Sequence, residues 1–291
     1  MRRIFFLLVL LFALESSAFA TWSVIAVDRA TGRVVIASAT CTGNADDFLK
    51  NLQAVIVPGK GVAACQAGAD GTHQNQTLVF EELKKGTDPN QIIELLSQDP
   101  GFQRRQFGIV DLEGRMAGHS GLGNGFVAQD IQGQVPGTEI FYSIQGNILR
   151  LNDVVEDAVE AFVNSGGGIT DRVMAAMEAA DAAGGDSRCT CEVPAVASEM
   201  SEIACQGRTS LVAYILAADP DDSDGPMGDI NSHNNGDYAM YVTLSTPSIK
   251  SGENLNPVKT LRMRYDVWLK DHPDFKRVGF PGAALPAASG E

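Results

Sequence analysis

Thr21 is the residue of this chain best suited to chemistry, because of what precedes it. Arg2 and Arg3 form a basic start, Ile4 to Leu14 an apolar run, and Ala18-Phe19-Ala20 a small-x-small cleavage site. These are the three parts of a secretory signal. Cleavage after Ala20 makes Thr21 the first residue of the mature protein, directly ahead of a strand-like stretch from Trp22 to Val27. An amino-terminal threonine carries its hydroxyl and its free α-amine on adjacent carbons, so the amine can act as base for the hydroxyl. A free α-amine titrates at about 7.7–8.0 in model peptides, near enough to neutrality for that role. One proteolytic event would then export the protein and create a nucleophile. An ordinary first strand residue is the competing reading, since many residues are tolerated after such a cut.

A hydroxyl nucleophile needs donors for the oxyanion and groups that orient its base. Gln145, Gly146 and Asn147 end a predicted strand with amide donors suited to an oxyanion hole. A turn in which Asn and Gly satisfy local backbone explains them equally well. Asp186 and Arg188 are candidates to orient the amine or bind a substrate carboxylate; a structural salt bridge after Gly184-Gly185 is the alternative. Arg33 and Ser38 lie on a second predicted strand, beside the first, where a position facing Thr21 competes with an ordinary core or surface position for each. The catalytic candidates are therefore Thr21, Asn147 and Asp186, and the substrate-binding ones Arg33, Ser38, Gln145, Gly146 and Arg188. Cys41 is a weaker rival nucleophile that would need His73 or His119 beside it.

Neither a metal nor a cofactor is expected. Cys189-x-Cys191 lacks the spacing and the histidines of a zinc site. The acidic stretch Asp219 to Asp229 alternates oxygen ligands but reaches Ile230, not a glutamate, at the twelfth position of a calcium loop. Asn75-Gln76-Thr77 is a glycosylation sequon that matters only in a eukaryotic host.

Losing the first 20 residues removes Arg2, Arg3 and Glu15, which takes the net charge from −14 to −15. This acidity argues against nucleic acid, because no basic stripe exists to neutralise phosphates. Lys259, Arg262, Arg264 and Lys270 are interleaved with apolar positions at helical spacing, as on a solvated helix face. No second apolar run approaches the roughly 18 residues that a membrane span requires, so no insertion is expected after signal cleavage. Five cysteines suit an oxidising compartment. Two bridges are expected, Cys41–Cys65 and Cys205 with either Cys189 or Cys191.

The elements that must carry these residues mix two periods. Val24–Val27 and Arg33–Ala39 read as a hairpin about Asp28 to Gly32, and Ala54–Val57 and Gly61–Cys65 as a second about Pro58-Gly59. From Gln76 to Ser97 the period becomes helical, with a break at Gly86 and a cap at Asp88 before Pro89. Strands return at Gln106–Asp111, Arg115–His119 and Phe141–Ile144. Helices follow at Val154–Val163 and at Arg172–Ala183, the latter capped by Thr170 or Asp171. Leu211–Ala217 and Tyr238–Leu244 are late strands, Val258–Lys270 a closing helix, and 276–291 an Ala/Pro/Gly-rich tail expected to be disordered. Antiparallel runs with paired helices make the fold class α+β.

Thr21-Trp-Ser-Val-Ile-Ala-Val-Asp28, followed by Thr31-Gly-Arg-Val-Val-Ile-Ala-Ser38, resembles the opening of the bacterial family called domain of unknown function 1028. Three later segments agree in order: Arg105–Asp111 with Gly114-Arg115, Gln145–Leu149, and Ala182–Asp186 with Arg188. The resemblance runs from about Thr21 to Asp274. That family is grouped with the amino-terminal nucleophile hydrolases. The resemblance therefore implies a four-layer αββα sandwich with antiparallel sheets and the first mature residue at the catalytic centre. Two departures stand out. Cys189 to Arg208 intervenes where the family runs almost directly into a strand, and Ala39 follows Ser38 where a long side chain is usual.

The expectation is a secreted or periplasmic hydrolase of amide bonds, with no cofactor. Residues 1–20 are its signal peptide and 21–275 a single domain with a Cys-bounded insertion at about 189–208. Its partners are a small acylated amine or peptide substrate and, in a homo-oligomer, a second copy of the chain. The alternative from a different class is a non-catalytic extracellular binding or structural protein on the same fold.

Overall fold

A computed structural model of the chain describes residues 21–68, 70–125, 127–189, 207–226 and 232–275. The signal at 1–20, the tail at 276–291 and all of the 189–208 insertion except Cys189, Gly207 and Arg208 lie outside the described residues.

Thr21–Asp28 (β1) and Arg33–Thr40 (β2) form the expected hairpin. The Gly32 N–H donates to the Asp28 carbonyl at 2.7 Å, and Gly32 has the positive φ of 76° that a glycine takes most easily. Phe48–Gln53 is a short helix (α1), followed by β3 (Ala54–Val57) and β4 (Gly61–Ala67). The helices α2 (Gln74–Lys85) and α3 (Pro89–Leu96) are separated at Gly86, and Asp88 accepts from the Asn90 N–H as the cap of α3. Strands β5 (Arg105–Asp111), β6 (Met116–Ser120), β7 (Ala128–Gln134) and β8 (Ile140–Asn147) come next. They are followed by α4 (Asp153–Asn164), α5 (Ile169–Ala182), β9 (Val212–Ala218), β10 (Met240–Ser245) and α6 (Pro257–Asp271). Helix α5 starts two or three residues earlier than its expected caps, on Gly168, with Asp171 reaching back to accept from the Gly168 N–H at 3.0 Å.

The fold is mixed α+β with two antiparallel sheets. One has the strand order β10-β9-β2-β1-β8-β7 and the other β3-β4-β5-β6. Because strand side chains alternate between faces, three apolar cores separate these elements. Trp22, Val24, Ala26, Val35, Ala37 and Ile144 point from the larger sheet to α4, α5 and α6. Ile25, Val27, Val34, Ile36, Ile56, Val62, Val110 and Phe141 pack between the two sheets. Val55, Ala63, Cys65, Phe107 and Ile109 point from the smaller sheet to α2 and α3. Among the described residues, no helix is long and apolar enough to cross a membrane.

The disulfide pairing differs from expectation. Cys41 is bonded to Cys189, and Cys65 is a free, buried thiol. The reason is strand parity: Cys65 lies on the face of β4 turned toward α2 and α3, away from the sheet that carries Cys41. Pairing with Cys41 also removes Cys189 as a partner for Cys205; Cys191 and Cys205 are outside the described residues. Burial pushes the Cys65 thiol well above its usual range.

Candidate active site

Parity also decides what faces Thr21. On β1 the residues turned toward the smaller sheet are Thr21, Ser23, Ile25 and Val27, and the neighbours in register are Thr40, Ser38 and Ile36 on β2 and Asn147, Gln145 and Ser143 on β8. Half of this inter-sheet layer, the half at the start of β1, is polar. Thr21 is 1 % exposed, and its hydroxyl donates to Thr40 Oγ1 at 3.3 Å. Thr40 Oγ1 also lies 3.5 Å from Arg188 Nη2. Arg188 is held in turn by Asp186, with Nη2 2.8 Å from Oδ2 and Nε 3.1 Å from Oδ1. Asp186 is fully buried and also accepts from the Cys41 N–H at 2.7 Å. Burial pushes its carboxyl above the usual range, and the Arg188 guanidinium pulls it back only in part. The Cys41–Cys189 bridge closes this arrangement, since it joins the residue after Thr40 to the residue after Arg188.

Below Thr21 lies a closed circuit of side-chain hydrogen bonds spanning both sheets. Gln66 Nε2 donates to the Thr21 carbonyl at 3.3 Å and to Gln106 Oε1 at 2.8 Å, while Gln66 Oε1 accepts from Ser23 Oγ at 2.7 Å. Ser23 Oγ accepts from Gln145 Nε2 at 2.6 Å, and Gln145 Oε1 accepts from Ser143 Oγ at 2.7 Å. Gln132 Nε2 joins Ser143 Oγ to Asp130 Oδ1, both at 3.1 Å. Asp130 accepts from Ser120 Oγ, which accepts from Gln106 Nε2 at 2.7 Å and so closes the circuit. Glycine makes room for it. A Cβ on Gly108 would strike the Gln145 carboxamide, and one on Gly118 would strike Asp130 and Gln132.

The candidate residues therefore separate into groups. Thr21, Ser38, Gln145, Asn147, Asp186 and Arg188 come to one end of the layer, although Ser38 Oγ is spent on the Trp22 carbonyl at 2.6 Å. Gly146 shares the strand end but sits on the opposite face, against Leu149, and its carbonyl accepts from Gln106 Nε2 at 2.8 Å. Arg33 is not brought there. It pairs in register with Asp28, seven positions from Thr40 and roughly 23 Å along the strand at about 3.3 Å per residue. Arg33 instead chelates Asp219 at 2.6 and 2.8 Å and stacks on Phe275. Cys41 is excluded as a nucleophile by its disulfide, while His73 faces His233 and His119 stacks on Phe102. In the acidic loop Asp222 accepts from the Asp219 and Ala239 N–H groups, and Asp224 pairs with Lys84. Asn75 of the sequon is buried, with its amide donated to Asp99 at 2.9 Å.

Asn147 has a different environment from that of an oxyanion donor. Its Nδ2 is committed to Gln106 Oε1 at 3.1 Å and, more weakly, to the Thr21 carbonyl at 3.5 Å. Its Oδ1 is buried with no hydrogen-bond partner among the described residues. Exchanging the amide's oxygen and nitrogen would set oxygen against two acceptors, so the network fixes the orientation. Three contributors, Thr40, Gln66 and Gln106, escape motif reading. The available signal is an isolated polar residue at the end of an apolar strand, on the parity that faces the other sheet.

Comparison with known proteins agrees with this architecture. Residues 21–200 match the family of unknown function DUF1028. The chain belongs to this family. The match opens at Thr21 and includes both hairpin strands, the Asn147 strand end and Asp186-Ser187-Arg188. Nine chains of solved structures match. One is the crystal structure of protein SPO2555 from Silicibacter pomeroyi, also assigned to DUF1028. It has a TM-score of 0.61 and 24% identity, over 88% of this chain and 93% of that one. No curated protein matches.

Proposed function

We propose that the protein is an exported hydrolase of amide bonds whose nucleophile is Thr21, once signal cleavage has made that residue amino-terminal. The observation that carries this reading is the setting of the Thr21 hydroxyl. It lies at the polar end of the inter-sheet layer, bonded to Thr40 and one hydroxyl away from an arginine fixed on a buried carboxylate. An apolar first strand residue would need none of these groups. On this reading the helix-flanked pair of sheets is the four-layer αββα sandwich of the amino-terminal nucleophile hydrolases. The disulfide supports export to the periplasm or beyond.

In the proposed reaction Thr21 Oγ1 attacks the acyl carbon of a small acylated amine or peptide while the α-amine takes the hydroxyl proton. Collapse of the tetrahedral intermediate breaks the C–N bond, and the α-ammonium returns the proton to the departing amine. Water then hydrolyses the Thr21 ester by the reverse assignment of roles. Arg188, 3.5 Å from Thr40 Oγ1, is the side-chain positive charge available to the developing oxyanion beside the α-ammonium. The unpartnered Asn147 Oδ1, beside the Thr21 backbone, is an acceptor for the α-ammonium.

The alternative, a binding or structural protein, is favoured by one observation: the Gln145 and Asn147 amides are already spent on internal partners. Treating the mature protein with an electrophilic amide or lactone probe and mapping the adduct by mass separates the two. Catalysis requires the label on the Thr21 hydroxyl, and its absence at every pH leaves the binding reading.

A further inference from the structure

Removing residue 20 frees Thr21 from the chain on one side. Its place in the sheet, between Thr40 and Asn147, remains, and side chains hold its hydroxyl and its carbonyl. Its hydroxyl is tied to Thr40 Oγ1 at 3.3 Å, and its carbonyl receives Gln66 Nε2 at 3.3 Å and, more loosely, Asn147 Nδ2 at 3.5 Å. Gln66 is the only one of these that comes from the opposite sheet, and it cannot rotate freely. Its Oε1 is held by Ser23 Oγ at 2.7 Å, its second amide hydrogen is given to Gln106 Oε1 at 2.8 Å, and the residue is 4 % exposed. Its register with Thr40 and Asn147 places the backbone in the sheet, and anchoring the carbonyl from below and the hydroxyl from the side adds a restraint on ψ and χ1 from outside that sheet. Those two torsions set where Oγ1 and the amine stand relative to an incoming acyl carbon.

We infer that Gln66 is a positioning residue for Thr21. It couples the nucleophile-bearing strand to the smaller sheet, so the first residue of the mature chain keeps one attack geometry. The idea rests on the proposed role of Thr21, and a buried amide serving stability alone is the competing account.

The test is the rate at which the electrophilic lactone probe labels Thr21 in mature wild-type protein, in Gln66→Met and in Gln53→Met. Gln53 is an equally buried amide outside this circuit, whose Nε2 donates to Tyr214 at 3.0 Å, so its loss reports generic destabilisation. Labelling is expected to fall at least tenfold in Gln66→Met, with a changed pH profile as the amine loses its fixed relation to the hydroxyl. Gln53→Met should keep the wild-type rate and profile at a comparable fall in melting temperature. If Gln66→Met does not fold, Ser23→Ala carries the test, compared with Ser143→Ala: both remove one hydrogen bond from Gln145, but only Ser23→Ala also frees Gln66 Oε1, and a roughly threefold fall is expected in Ser23→Ala alone. Wild-type rates in Gln66→Met, equal slowing in both Met variants, or an unchanged Ser23→Ala overturn the inference and leave Thr21 as nucleophile. Wild-type protein that never labels overturns the reading beneath it as well.

Discussion

The two halves of the inter-sheet layer are built on the same strands and face the same way, yet they differ completely in chemistry. At one end β1 contributes Ile25 and Val27, β2 Ile36 and Val34, and β8 Phe141, packed on Ile56, Val62 and Val110. At the other the same strands contribute Thr21 and Ser23, Thr40 and Ser38, and Asn147, Gln145 and Ser143, facing Gln66 and Gln106. The apolar half gains about 25 cal/mol per Å² of buried apolar surface and asks only for volume matching. The polar half gains little net free energy per hydrogen bond and loses about 1–3 kcal/mol for each group left unpaired. Burial alone therefore does not account for its composition. Two amides flanking the nucleophile are followed by residues in the left-handed region, Ala67 at φ 73° and Ile148 at φ 50°. For a β-branched Ile this is an outlier, a strain that belongs to the polar half.

The largest way to break this contrast is to open the disulfide. Cys41–Cys189 spans 148 positions, and such a loop contributes about 5 kcal/mol in the chain-entropy model. Cys189→Ser should lower stability by about that much in chemical denaturation and loosen Asp186 and Arg188 from Thr40. A denaturation midpoint equal to wild type would show that the polar end does not depend on the clasp. Truncating the apolar half should cost less and act differently. Ile36→Ala should destabilise by about 3 kcal/mol through cavity formation, with Thr21 labelling unaltered per folded molecule. A matching loss of labelling would mean that the halves are not separable.

A small effect is expected outside the layer. Hydrogen bonds from Arg264 hold Glu253 down to about 2. Its folded value is depressed, so its stabilisation is present above the unfolded carboxylate value of about 4.3 and is lost as pH falls toward 2. Glu253→Gln should lower the melting temperature by about 1–2 °C at pH 7 and by progressively less as pH falls through about 2, with Thr21 labelling unchanged.

Periodicity made most of this fold legible. The β1–β2 hairpin, the break between α2 and α3 at Gly86, β5, β6, α4 and α6 all carry strong local signals, and tertiary context extends their ends by only a residue or two. Strand β7 (Ala-Gln-Asp-Ile-Gln-Gly-Gln) was invisible, because its inward positions, Asp130 and Gln132, belong to the polar circuit and imitate a loop. Helix α1, six residues long, is too short for a period to show. The site was half legible. Thr21, Asn147, Asp186 and Arg188 stand out by position or motif, whereas Gln66 and Gln106 acquire meaning only when two sheets are stacked. The Cys41–Cys65 expectation failed for the same reason, since sequence proximity carries no information about which face of β4 a thiol takes.

Thr21 itself joins the two questions of stability and chemistry, so Thr21→Ala tests the central claim most directly. The change keeps the α-amine and removes one buried hydroxyl bond, worth about 1 kcal/mol. With wild-type and Thr21→Ala proteins treated side by side with the electrophilic probe, the account predicts a mass adduct on residue 21 of the wild type. It predicts no adduct in the variant, which should melt within a few degrees of wild type. An adduct elsewhere, an adduct that survives Thr21→Ala, or a sharp fall in melting temperature with no wild-type labelling would make Thr21 a packing residue and contradict the account.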